Sequence, residues 1–276
     1  MKIVNKKNQL IKAKAFIKKD FVIEISYKMA FIIGIVGTIF PVLTYFFVGK
    51  LMHNYNPVAL QKYGTDYFSF TLVGIAFTTY FTLAVQNFSI SMRRAQMAGC
   101  LEAILSSQTN PKSVVFMSSL YSFISNGIIL FFIFITAGLF LNFSFAQINI
   151  ISTFVVFIFS FATFISLGIF SAAGTILFKQ GDPFGFIFGA LSSLLGGAVF
   201  PISVLPNWIK PISSIIPITY SLDALRLSIL QGYSINMLLS QLIILAFAAC
   251  ILFPASLYFF QWAVEKGKRE GTLMQY

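Results

Sequence analysis

Few residues of this chain have the means to do chemistry, and they lie far apart. Asp223 and Arg226 stand three positions apart, a spacing at which helical side chains face one another. As an ion pair they would neutralise two charges near a lipid boundary, either clamping the segment that carries them or touching a cargo. Gln86, Asn87 and Asn126 are polar groups inside long apolar runs. Hydrogen bonds between helices are expected of them, with lining of a pore as the second reading. The single histidine, His53, falls in a loop, where a solvated role is expected. No carboxylate pair, nucleophile beside a base, or His/Cys cluster occurs at a spacing that supports catalysis or metal binding. Neither Gly49-Lys50 nor Gly267-Lys268 has the glycine five places upstream that a GxxxxGK[ST] phosphate loop requires. If ATP powers this protein, another polypeptide must bind it.

The elements around these residues belong in a bilayer. The chain is 58% hydrophobic and 10% charged, with 34 Phe, whereas soluble domains carry about 25% charged residues. Six stretches are apolar and long enough to cross: Met29 to Val48, Tyr67 to Ile90, Ser113 to Leu141, Ile148 to Leu177, Pro183 to Phe200 and Met237 to Gln261. They leave no room for a second folded domain. The fold class expected is therefore an all-α integral membrane protein. Residues 1–28 form an N-terminal amphipathic interfacial helix, 29–261 a six-helix bundle and 262–276 a cytoplasmic tail.

The net charge of +11 could suggest nucleic acid, but the basic residues sit between spans rather than on a folded polar face. Lys and Arg number eight before the first span, three in residues 91–112, one in 178–182 and three after Gln261. The alternate segments 49–66, 142–147 and 201–236 hold two, none and two. That bias places both termini in the cytoplasm. The basic N-terminus lacks a short apolar core followed by a small-residue cleavage site, so a removable signal peptide is not expected. Cys100 falls in a cytoplasmic loop and Cys250 in the last span, both read as packing thiols without a disulfide framework.

Within Asn8 to Lys28, Leu10, Ile17 and Phe21 make one apolar stripe and Phe16, Ile23 and Tyr27 another. Lys12, Lys14, Lys18 and Lys19 could snorkel to anionic headgroups. Between the second and third spans, Leu101, Ile104 and Leu105 have helical spacing, and Asn110-Pro111 ends the run. In the fifth span Gly185 and Gly189 form a small-xxx-small pair, continued by Gly196 and Gly197, which would let helix backbones approach.

Between Gly196 and Gly232 an apolar stretch is cut by Pro201, Pro206, Pro211 and Pro217. Lipid cannot hydrogen-bond a backbone, so broken helix at membrane depth survives only against protein or along a water-filled path. The last piece is expected to be a short helix capped by Thr219 or Ser221, with Asp223 near its positive end and Gly232 as a left-handed stop. About eleven residues rise only about 16 Å, so the segment should dip in and turn back as a re-entrant helical hairpin between spans five and six. The spans are almost free of ionisable groups, which argues against proton or sodium coupling.

The pattern Gly196-Gly197, Phe200-Pro201, Leu205-Pro206, Trp208, Pro217, Thr219-Tyr220, Asp223-Ala224 and Leu225-Arg226 resembles the re-entrant region of ABC-2 type transporter permeases. Gln96 to Glu102, reading QMAGCLE, is similar to that family's Gly-Thr-Leu-Glu cytoplasmic element, with Cys100 where threonine is usual. The resemblance implies a plasma-membrane homodimer docked on two separate ATP-binding cassette subunits, which hold the ATP and Mg. No cofactor on this chain and no nucleic-acid partner are expected, since phosphate-loop and metal spacings are absent and the basic residues lie between spans. Nucleotide closure would be transmitted through Gln96, Gly99, Cys100, Leu101 and Glu102, and through the interfacial helix. The path would run between the copies, lined by the second and fifth spans, with Pro201, Pro206, Trp208, Pro217, Tyr220, Asp223 and Arg226 in an exit gate. A Phe-rich, charge-free lining suits an amphipathic or lipid-like cargo. The alternative is a passive channel or gradient-driven carrier with a re-entrant gate. A membrane-embedded acyltransferase would need more than His53.

Overall fold

A computed structural model describes residues 6–26, 28–52, 58–106, 111–178 and 182–270. His53, Asn110 and residues 271–276 lie outside them, as do the side chains of Leu10 and Ile23 and the whole of Tyr27. The described residues are mostly helical, with no strand among them. In order the helices are α1 (Lys6–Ser26), α2 (Lys28–Leu51), α3 (Tyr67–Met97), α4 (Leu101–Ser106), α5 (Pro111–Phe140), α6 (Ile150–Phe178), α7 (Pro183–Leu195), α8 (Lys210–Ile215), α9 (Pro217–Leu230) and α10 (Leu239–Arg269). Single 3-10 turns cover Val58–Tyr63, Ile202–Val204 and Ile235–Leu238.

Among the described residues four helices are long and apolar enough to cross a membrane: α3, α5, α6 and α10 with the turn that leads into it. Two shorter apolar helices, Val36–Leu51 within α2 and Pro183–Leu195, accompany them. The fifth expected span is thus cut short. Its 13 residues rise about 20 Å, less than the roughly 30 Å of a hydrocarbon core, because Gly196 and Gly197 (φ +77) turn the chain before Phe200.

Local chemistry sets the boundaries. Asp66 caps α3, its Oδ2 accepting from Phe68 N at 3.1 Å and Ser69 N at 3.4 Å. Asp182 caps α7 by accepting from Gly185 N at 2.8 Å, with Pro183 in the first turn. Gly99 ends α3 in the left-handed region, at φ +64. There Gly99 N donates to Gln96 O at 2.8 Å and Cys100 N to Ala95 O at 3.1 Å, the paired bonds of a Schellman stop.

α3 is the spine. Its most apolar stretch is 72% buried, against 17% for α5 and α10, because α2, α5, α6, α7 and α9 all pack on it. One core cluster, at the Asp66 end, joins α3, α6 and α9 around Phe77, Phe81 and Phe164, with the rings of Phe81 and Phe164 stacked at 4.2 Å. The other joins Phe88 and Met92 of α3 to α4, α5, α6 and the C-terminal part of α10. Buried hydroxyls bridge helices: Ser89 meets Thr175, and Thr163 Oγ1 donates to Leu245 O at 3.2 Å, substituting for the hydrophobic drive that lipid does not provide. α1 lies along α5, with Phe21 edge-on to Tyr121 at 6.2 Å.

Two expectations for single side chains fail. Cys250 is exposed on α10 rather than packed, while Cys100 is partly buried. Among the described residues, neither Asn87 nor Asn126 makes an interhelical hydrogen bond, and the Asn126 Nδ2 is buried without a partner. Both line a cavity instead.

Candidate functional site

The region between α7 and α10 divides into an exposed tip and a buried stem. Pro206 and Trp208 lie on the tip, Trp208 being 74% exposed, beside the exposed apolar side chains of Val204, Ile212 and Ile215. Pro201 is buried at the turn that leads to the tip. The stem is α9, which carries Pro217, Tyr220, Asp223 and Arg226 and packs on α3, α6 and α10.

α9 begins at Pro217 in place of the expected hydroxyl cap. The cap position is Ile216, with no side-chain cap bond, since isoleucine has no acceptor to offer, while Pro217 at the first position leaves one fewer N–H to satisfy. Thr219 Oγ1 turns back to donate to Ser213 O at 2.7 Å, and Ser221 Oγ to Pro217 O at 3.2 Å. Ser213 Oγ donates to Leu195 O, tying α8 to the end of α7. At the other end Gly232 (φ +67) supplies the expected left-handed stop.

Asp223 and Arg226 do not pair directly, because each finds partners on other elements. Lys62 Nζ and Tyr63 Oη donate to Asp223 Oδ1, the latter at 2.8 Å, and Gln241 Nε2 donates to Oδ2 at 3.0 Å. The carboxylate thereby joins α9 to the 58–63 turn and to α10. Lys62 is 56% exposed at its side chain, so solvent screens that ion pair to a small contribution. The half-buried Tyr63 and Gln241 bonds carry more of the restraint. Burial pushes the Tyr63 phenol well above the ordinary tyrosine range, with the Asp223 charge adding to the shift and Arg226 opposing it. Tyr63 therefore remains a proton donor to Asp223 at any physiological pH.

Arg226 is 2% exposed. Its Nε donates to Phe70 O at 3.1 Å and its Nη2 to Ala198 O at 2.8 Å, while the guanidinium lies 3.5 Å from the Phe70 ring centroid. One side chain thus fastens α9 to the first turn of α3 and to the strand of chain that follows α7. A Cβ at Gly74 would overlap both Ala198 O and Arg226 Nη2. Only glycine admits this crossing of backbone and guanidinium. Lys62, Tyr63, Gly74 and Gln241 were not legible as site residues, because their partners lie far along the chain.

The glycines expected to pack helices divide by role. Gly189 faces Thr82 and Gln86 of α3, and a Cβ at Gly196 would press on Ile218 of α9. Gly185 instead leaves room for the Asp182 cap, and Gly197 adopts the turn. The small-xxx-small pair is not one continuous seam, since a cap occupies its first member.

At the far end of α3, Gln96 is 5% exposed with its Oε1 unpartnered. Leu101 and Leu105 of α4 are buried in the second core cluster, which leaves Glu102 half-exposed. Lys268 Nζ donates to Leu105 O at 3.1 Å, a cation at the C-terminal end of α4. Gly99 has open space around a built Cβ, so its requirement is conformational rather than steric.

A family model described as ABC-2 type transporter matches residues 14–230. With a multi-pass helical fold, a proline-broken segment and a short helix hung from the longest buried span, the chain belongs to the ABC-2 type transporter family of transmembrane permeases. No curated protein matches the sequence. Proteins of this family are transport subunits that normally leave ATP hydrolysis to a partner.

Proposed function

We propose that this chain is the membrane-spanning permease of an ATP-binding cassette exporter, moving an amphipathic or lipid-like substrate out of the cytoplasm. Hydrolysis of ATP with Mg takes place on a separate subunit, and two copies of the chain assemble around the path. Both termini lie in the cytoplasm of a plasma membrane, as the distribution of basic residues favours. The observation that carries the reading is the α3–α4 junction. α3 is a rod of 31 residues, about 46 Å long. Its Asp66 end holds α9 through Arg226, and its Gly99 end presents α4 with Glu102 outward.

A partner that displaces α4 would push on a helix whose opposite end is fastened to the gate. Coupling residues Gln96, Gly99, Cys100, Leu101 and Glu102 thus sit at one end of a lever, and Pro217, Asp223 and Arg226 at the other. α7 exposes Phe186 and Leu194, apolar surface available to a second copy. α3 is mostly covered within the protomer, so α7 contributes more of the face between copies than α3.

The test is purification of the chain from its native membrane, followed by vesicle transport with and without ATP. A co-purifying ATP-binding subunit and nucleotide-dependent transport are expected. Transport in ATP-depleted vesicles without such a subunit would favour a passive channel or carrier and end the proposal.

A further inference from the structure

A cavity of about 880 Å³ lies at the α4 end of the bundle, between α1, α2, α3, α4 and α5. No residue of α7 or α9 lines it. Its wall is divided by chemistry. Phe16, Ile90, Ile104 and Ile129 give it an apolar side, while Asn87, Asn126 and Arg94 give it a polar one.

Two donor groups on the polar side lack a partner among the described residues. Asn126 Nδ2 is buried with no hydrogen-bond partner, a desolvated donor that a ligand oxygen would satisfy. Arg94 makes no ion pair or side-chain hydrogen bond among the described residues. The lining carboxylate of Asp20 is engaged by Lys19, with Nζ to Oδ1 at 3.2 Å. The unpaired formal charge of the lining is therefore the Arg94 cation. An amide donor and a free guanidinium beside an apolar wall fit an anionic headgroup with one attached hydrocarbon chain.

We infer that this cavity binds an anionic amphiphile drawn from the membrane leaflet at the α4 end, its phosphate or carboxylate on Arg94 and Asn126 and its chain against Ile90 and Ile129. Cys100 and Ile104 form part of the same wall, so an occupant touches the segment assigned above to coupling. The inference needs the membrane placement but not the ATP-driven cycle. Its failure would leave the proposed function standing, and the reverse also holds.

Lyso-phosphatidylglycerol, lyso-phosphatidylcholine and glycerol phosphate are the probes, titrated by calorimetry into the purified full chain in a neutral detergent. The anionic lyso-lipid is expected to bind at least about tenfold more tightly than the zwitterionic one, and Arg94→Gln to abolish that preference. Glycerol phosphate tests a soluble source of the same anion and should bind far more weakly. Gly34→Phe serves as a plug, since a Cβ at Gly34 meets open space and the variant should fold; it should remove saturable binding of the lyso-lipid. Equal binding of the two lyso-lipids, a preference that survives Arg94→Gln, glycerol phosphate binding as tightly as the lipid, or binding untouched by the plug would each overturn the inference.

Discussion

Arg226 is a buried cation whose nearest acid is occupied elsewhere, and backbone carbonyls take its place. Burying a guanidinium is tolerable when its donors are satisfied and its face is stacked, which Phe70 O, Ala198 O and the Phe70 ring achieve together. Lysine could not reproduce that geometry, since it has neither a plane to stack nor a fork of donors. Arg226→Lys is expected to lower the yield of folded protein, measured by fluorescence-detected size exclusion. Gly74→Ala poses a sharper test. Helix propensity alone favours alanine by about 1 kcal/mol, whereas overlap with Ala198 O and Arg226 should cost about 1–3 kcal/mol. A lower melting temperature than the parent is expected, and a higher one would mean the crossing is looser than it looks. Asp223→Ala should also lower the folded yield, because it strands Tyr63 and Gln241. An undisturbed yield would remove Asp223 from the clamp.

At the scale of elements, the joint between α3 and α4 is the one to which the proposed function assigns coupling. The Gly99 left-handed turn sets the angle at which α4 leaves α3, and Leu101 and Leu105 fix which face is buried. Gly99→Ala meets no steric obstacle but carries about 1–2 kcal/mol of left-handed strain. It should therefore shift α4 while leaving the bundle folded. ATP hydrolysis by the reconstituted complex is expected to continue with transport reduced. Glu102→Ala should uncouple the two in the same assay without changing folded yield, because Glu102 is half-exposed and makes no ion pair among the described residues. Normal coupling in both variants would separate α4 from the ATPase.

For the whole molecule, the protomer carries two kinds of apolar surface. α5 and α10 are little buried within it, as helices facing lipid would be. α7 is short, and its exposed Phe186 and Leu194 flank a proline-broken tip that also exposes Trp208 and Ile215. Backbone that cannot span needs protein or water beside it, so a second copy is expected on the α7 side. A cysteine placed at Leu194 should cross-link two copies under mild oxidation, and one placed at Phe247 of α10 should not. The opposite pattern would move the interface.

The sequence by itself determined the class, since membrane spans depend on local runs of apolar residues and a bilayer reads such runs directly. α5 and α6 lie close to the expected boundaries, whereas α3 and α10 begin near theirs but run on past the expected ends at Ile90 and Gln261 to Met97 and Arg269; the proline-broken segment with Gly232 as its stop was legible from the special backbone needs of proline and glycine. Helix partners were not legible, because they depend on which distant surfaces meet. The spacing of Asp223 and Arg226 suggested a mutual pair, but tertiary packing brought Lys62, Tyr63 and Gln241 to one and Phe70 and Ala198 to the other. Asn87 and Asn126 looked like bridges between helices and became the wall of a cavity. Sequence spacing reports what faces what on one helix; only the folded bundle decides which of those faces is already taken.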